Sequence, residues 1–174
     1  MRISHIGYQI LVIWLLVTAG CSPQPQQVRR LSEKDVPDSA LMAQMTFNMQ
    51  MASAADKVCS AWITNDSITY TLDDFGFWYA KTINLHSDPL QPGEQISLHL
   101  QISELNDRLL ADIKETFSIG SGDLPTAINR SLRQMSRGEQ MHIVAPWYTA
   151  YGAEGTSIVK PYTNLIIILS IENE

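Results

Sequence analysis

Residues 135–172 read MSRGEQMHIVAPWYTAYGAEGTSIVKPYTNLIIILSIE, and this stretch decides the fold. Met135 is the last apolar residue of a helical pattern, and Gly138 follows where a left-handed cap would close it. Met141, Ile143 and Ala145 alternate with Gln140, His142 and Val144, which predicts a strand. A long loop follows, with a Tyr-Gly pair at its centre. Residues 165–171 are almost unbroken aliphatics followed by charge, the pattern of a buried strand near the chain end.

Working outward from this stretch, residues 124–135 predict a helix. Leu124, Ile128, Leu132 and Met135 fall on one face, and Pro125 sits near the start, where its missing N–H costs nothing. Upstream, Ile96, Leu98 and Leu100 alternate in a strand that begins after Gly93-Glu94. A second strand follows a turn at Asn106-Asp107. Before these, Ile68, Tyr70 and Leu72 predict a strand over 67–72. Asp73-Asp74 makes a turn, and 75–85 (FGFWYAKTINL) forms the second arm of a hairpin. Residues 38–64 predict a helix capped by Asp38 or Ser39, with an apolar recurrence through Leu41, Met45, Asn48/Met49, Ala52, Ala55, Val58-Cys59 and Trp62. Met42, Met45, Met49 and Met51 suit either an adaptable docking surface or packing on the helix's own domain. Cys59 on this helix is expected to be a buried, inert thiol.

At the start of the chain, Arg2 precedes the apolar run 10–17 (ILVIWLLV), too short to span a hydrocarbon core of about 30 Å. With Ala19-Gly20 before Cys21, it resembles a bacterial lipoprotein signal, which implies a lipidated Cys21 anchored by several acyl chains. Residues 21–37 are polar and rich in Pro and Gln, and read as a tether. The chain has 174 residues, is 45% hydrophobic and carries a net charge of −6. That charge argues against a nucleic-acid surface. The four histidines are scattered without metal-ligand spacing, and two cysteines make no disulfide framework.

Met135, Gly138-Glu139, Pro146, Ala150-Tyr151-Gly152, Gly155, Pro161 and Leu165, in this order and spacing, resemble the C-terminal half of FKBP-type peptidyl-prolyl cis-trans isomerases. The resemblance extends back to Gly93. It implies an α+β fold, FKBP-like, in which a curved antiparallel sheet wraps one helix, preceded here by an N-terminal helix and the lipoprotein signal. The Gly-Phe-Trp-Tyr run is also similar to the lead-in of FKBP-like lipoproteins of the gliding-motility type in Bacteroidota. The expected organisation is a signal at 1–20, a tether at 21–37, a helix at 38–64, a lead-in hairpin at 65–92 and an FKBP-like domain at 93–174. Without an acidic export cluster after Cys21, the resemblance implies an outer-membrane lipoprotein facing the periplasm.

The same resemblance implies the pocket. Its flap tyrosine is Tyr151, and the Phe of its short strand is Phe117. Ile128 stands where the family usually carries a Trp floor, Leu100 where it carries Tyr, and Ile167 where it carries Phe. Leu110 matches the wall Phe. The Asp that follows becomes Ala111, but a slide of one residue would put Asp112 in that role, and the sequence leaves both open. Leu124 and Pro125 match a substrate-binding pair whose second backbone N–H Pro125 lacks. Trp147 and Tyr148, beside the flap, could add aromatic surface to the pocket or pack on the sheet. Glu139, His99 and His142 are expected at solvent-facing strand positions, with no catalytic role. The implied partners are proline-containing polypeptides and, through Cys21, a membrane; no cofactor or metal is implied.

Overall fold

The computed structural model describes residues 39–85, 88–122 and 124–172, which belong to one compact unit. The signal segment, Cys21, the tether and the Asp38 cap lie outside the described residues, as does His86. Helix α1 spans Ser39–Asn65 and a short helix α2 spans Thr126–Leu132. The strands are β1 (Thr71–Leu72), β2 (Trp78–Ile83), β3 (Gln95–Glu104), β4 (Leu109–Ser118), β5 (Gln140–Ala145) and β6 (Leu165–Ile171). They form one antiparallel, curved sheet in the order β1-β2-β5-β6-β3-β4. The architecture is the FKBP-like α+β fold expected from the sequence, with its N-terminal helix.

Register gives the sheet two chemically different faces. Tyr79, Ile143, Ile167, Ile102 and Ala111 lie side by side on the inner face, and so do Lys81, Met141, Leu169, Leu100 and Ile113. Ala127, Ile128 and Leu132 of α2 join this face in one buried cluster with Ile96, Leu98, Leu100 and Ile102. On β3 the apolar residues point in while Ser97, His99, Gln101 and Ser103 point out, so a single buried face produces strict alternation. β6 is buried along nearly its whole length, which is why its sequence does not alternate.

The outer face is divided. Val144 and Ile166 are neighbours there and both are buried. α1 lies on this side: it contacts β5, and Trp62 Nε1 donates to the Leu105 carbonyl at 2.9 Å. The carboxylate of Asp66, just past the end of α1, acts on the outward-facing His142. That ring's pKa is lowered by burial, with Asp66 opposing. The rest of the outer face is polar, with Gln101, Asp112 and Lys114 on it.

Several elements differ from their expected limits. The predicted strand over 67–72 shrinks to Thr71–Leu72, because Asp66 draws the chain into local bonds with the Ser67 N–H and the Tyr70 hydroxyl. The second hairpin arm begins at Trp78, not Phe75. The Asp73 carboxylate accepts from the Phe75 N–H, and Gly76 closes the turn at φ 86°. α2 stops at Leu132, and the chain tightens to Met135 through i→i−3 bonds from Gln134 and Met135. Met135 is still fully buried.

The packed stripe of α1 also departs from expectation. Ala55 and Cys59 are buried and Asn48, Met51, Ala52, Asp56 and Trp62 half-buried, whereas Leu41, Met45, Met49 and Val58 are exposed. The surfaces that receive α1 select one stripe of a helix whose apolar residues are spread around it.

Candidate active site

The inner face is largely aliphatic among the described residues, with Phe77, Tyr79 and Phe117 as its aromatics. Leu100, Ile128 and Ile167, three of the expected pocket residues, are sealed in the buried cluster. Around them stand half-buried side chains packed against that cluster: Leu110, Ala111, Phe117, Leu124 and Tyr151. Phe117 lies opposite Ile96 at one end of the β3–β4 ladder. The site residues expected from β3, β4, α2, the flap and β6 are therefore gathered on one face, with the exception of Asp112.

Asp112 is a correction. Gln101 is its cross-strand partner, so it faces outward. Its carboxylate accepts from Gln101 Nε2 at 3.0 Å and meets His99 Nε2 at 2.6 Å, and these bonds, Gln101's first, hold its pKa below the usual carboxylate value. The ladder is interrupted between Ile102 and Ser103, where a bulge places three residues of β4 against two of β3. Leu110 and Ala111 consequently both pack on the inner core. The position open to Ala111 or Asp112 is thus filled by Ala111, and this part of the rim carries a methyl group in place of a carboxylate.

Trp147 and Tyr148 are the second correction. They open a short 3-10 helix, Trp147–Thr149, that faces α1 instead of the pocket. The Trp147 ring is buried, edge-on to Tyr162 at 4.7 Å between centroids, and lines a crevice of about 170 Å³ with Met51, Ala55 and Val58 of α1. The Tyr148 hydroxyl donates to Asp56 of α1 and stands 3.2 Å from the Gly76 carbonyl. Burial and then the Asp56 carboxylate push its pKa up.

Glu139 is also not a solvent-facing residue. It is 1% exposed, and its carboxylate accepts from Lys81 Nζ (2.9 Å), the Ser136 N–H (2.9 Å) and the Leu85 N–H (3.1 Å). Burial alone would raise its pKa. The lysine and the two amides outweigh burial, and the carboxyl is held below its usual value. It is a structural tie between β2 and the α2–β5 turn. His99 and His142 lie on the outer face, but half-buried there rather than facing open solvent.

The flap is a ring of backbone bonds. The Trp147 carbonyl accepts from both the Ala150 N–H (3.2 Å) and the Gly152 N–H (2.8 Å), so Tyr151 sits between two amides that share one acceptor. Beyond it, Gly155 turns at φ 70°. A Cβ there would stand 2.3 Å from the Val159 carbonyl oxygen, so only glycine fits. Val159 then enters the buried cluster, a contribution signalled only by an apolar Ile-Val pair in a polar loop. The Tyr151 ring packs on that cluster, half-buried. Its hydroxyl has no hydrogen-bond partner among the described residues, and burial raises its pKa. It therefore stays protonated, a donor at the edge of an apolar surface. Across the rim, Pro125 is the N-cap residue of α2 and offers no N–H.

Residues 88–171 match the family model for FKBP-type peptidyl-prolyl cis-trans isomerase. This segment is similar to FKBP-type domains. Solved structures of similar fold include three such proteins. AtFKBP13 superposes with a TM-score of 0.56 at 16% identity, covering 61% of this chain and 98% of that one. FkpA from Escherichia coli gives 0.61 at 11% identity, over 99% of this chain and 73% of its own. A peptidyl-prolyl cis-trans isomerase from Pseudomonas syringae pv. tomato gives 0.57 at 16% identity, over 70% and 94%. At such identities these structures speak for the FKBP-like fold alone. No curated protein matches the chain in sequence.

Proposed function

We propose that this protein is an envelope-anchored FKBP-type peptidyl-prolyl isomerase and folding helper of low activity, acting on proline-containing polypeptides. The observation that carries the reading is Tyr151: a protonated hydroxyl without a hydrogen-bond partner among the described residues, held over a largely aliphatic face by a closed flap. Prolyl rotation has a barrier of about 18–20 kcal/mol because it breaks amide conjugation. A dry apolar surface favours the twisted amide over the planar one, and a positioned donor holds a peptide carbonyl beside it. Binding the transition state better than the ground state is sufficient for catalysis, and no nucleophile or cofactor is needed. Low activity follows from the sealing of Leu100, Ile128 and Ile167 in the core, the methyl at Ala111 and the absent N–H at Pro125.

The anchoring reading rests on the sequence around Cys21, lipidated in the outer membrane and facing the periplasm. Kinship with gliding-motility lipoproteins rests on the Gly-Phe-Trp-Tyr lead-in. A second reading is favoured by the same substitutions at Ile128, Ala111 and Pro125: a non-catalytic module that uses the FKBP scaffold to hold an envelope partner. Scaffold alone does not choose between them.

The test is prolyl isomerisation by the chain from residue 22, on short X-Pro peptides and on a protein whose refolding waits for a proline. A rate above background that falls about tenfold or more in Tyr151→Ala supports catalysis at this site. A background rate on both substrates from a folded sample selects the binding module.

A further inference from the structure

Tyr162 has a backbone conformation that its residue type disfavours: φ is 56°, in the left-handed region. Such a residue persists where its surroundings over-determine it, and it is worth asking what does so. Its hydroxyl donates to Asn48 Oδ1 of α1 at 3.0 Å. Phe47 of α1 meets its ring edge-on at 5.7 Å, and Trp147 meets it at 4.7 Å. Its own N–H donates to the Gly152 carbonyl at 3.2 Å. One side of this residue is thus fixed by α1 and the other by the flap, one residue from Tyr151.

A second route reaches the same place. The Trp147 carbonyl is the acceptor that the amides flanking Tyr151 share, and the Trp147 ring lines the crevice against α1. The Trp147 N–H is in turn held by Asn164 Oδ1 at 3.0 Å. Two of the residues whose backbone fixes the flap, Trp147 and Tyr162, therefore have side chains that lie against α1, while the Tyr151 carbonyl is held separately by the Gly155 N–H at 3.2 Å. The FKBP-type match begins at residue 88, so α1 lies outside it.

We propose that α1 positions the flap: the Asn48–Tyr162 hydrogen bond and the seat of Trp147 against Met51, Ala55 and Val58 set where the Tyr151 hydroxyl stands over the apolar face. This rests on the isomerase reading for its consequence, but not for its geometry. Asn48, Tyr162 and Trp147 are positioning residues. They act through the backbone of the flap.

The test uses the full-length chain in detergent and the variants Tyr162→Phe, Asn48→Ala and Asn48→Asp. Tyr162→Phe keeps both ring contacts and removes only the hydroxyl. Asn48→Asp keeps the acceptor. The first readout is hydrogen exchange at the Gly152 amide, with the Ile143 amide of β5 as control. Tyr162→Phe and Asn48→Ala should speed Gly152 exchange about five- to tenfold and leave Ile143 unchanged, and Asn48→Asp should restore it. The second readout is isomerisation. Both variants should lower kcat/KM about three- to tenfold, and neither should lower it further in a Tyr151→Phe background, as two groups acting through one hydroxyl require. Unchanged Gly152 exchange in both variants overturns the proposal, and so does a loss of kcat/KM that simply adds to that of Tyr151→Phe. If the wild-type chain does not isomerise, the exchange readout alone decides the positioning role, and the failure falls on the isomerase reading.

Discussion

The two faces of the one sheet are stabilised differently. The inner face is closed by a helix of seven residues and is largely aliphatic on β5, β6 and β3. The outer face is covered in part by a helix of 27 residues, and its remainder is a polar field of His99, Gln101, Asp112 and Lys114. The short helix closes its face because Ile128 and Leu132 are completely enclosed by strand side chains. The long helix is instead held at a few points: Trp62 to Leu105, Tyr148 to Asp56, Tyr162 to Asn48. Length of helix is thus a poor guide to how much of the fold depends on it.

This contrast can be broken most severely from the inside. Ile128→Ala, at a residue with no exposed surface, should cost about 3–4 kcal/mol in denaturant melts. Glu139→Gln should come next, at about 2 kcal/mol at neutral pH, since it removes the charge that Lys81 and two amides face. Its pH dependence has a definite sign. The folded carboxyl pKa is lowered, so its contribution is complete above the unfolded-chain value of about 4.3 and is lost as pH falls through the folded value. The deficit of the variant should therefore narrow in acid, measured as the wild-type–variant gap at pH 7 and pH 3. On the outer side, Trp62→Phe removes one hydrogen bond and should cost only about 1 kcal/mol. Smallest of all, Asp112→Asn should leave the isomerisation rate unchanged, because its carboxylate faces away from the rim. A drop in that rate would return Asp112 to the site. A flat rate between about pH 6 and 9 is expected as well, since burial raises the pKa of Tyr151.

What could be read from the sequence follows the same division. The alternation of Ile96, Leu98, Leu100 and Ile102 and the spacing of Ile128, Leu132 and Met135 report which residues share a face, because strand and helix have fixed periods. The turn at Gly138 was legible from a glycine after the last apolar helical residue and β6 from its run of aliphatics, whereas the flap at Tyr151 was legible only through the family resemblance. A bulge has no period. One extra residue at Leu110-Ala111 turned the choice between Ala111 and Asp112, and only hydrogen-bond register settles such a choice. Trp147 and Tyr148 lie in a loop, where proximity to the flap in sequence says nothing about which side a ring faces. Glu139 looked exposed because it is charged, and its burial depends on Lys81, 58 residues earlier. The stripe of α1 that would be covered could not be chosen from a helix whose apolar residues lie all round it.

The Cys59 thiol lies on the covered stripe of α1, with no exposed surface and a pKa pushed up to about 12 by burial and then by Asp56. At neutral pH roughly one molecule in a hundred thousand carries the thiolate there. An alkylating reagent therefore meets nothing reactive while α1 is seated. Modification at Cys59 has to wait for the helix to lift, so the labelling rate is a clock for its departure. The chain carries a native reporter of how often its long helix lets go, with no probe added and no side chain changed.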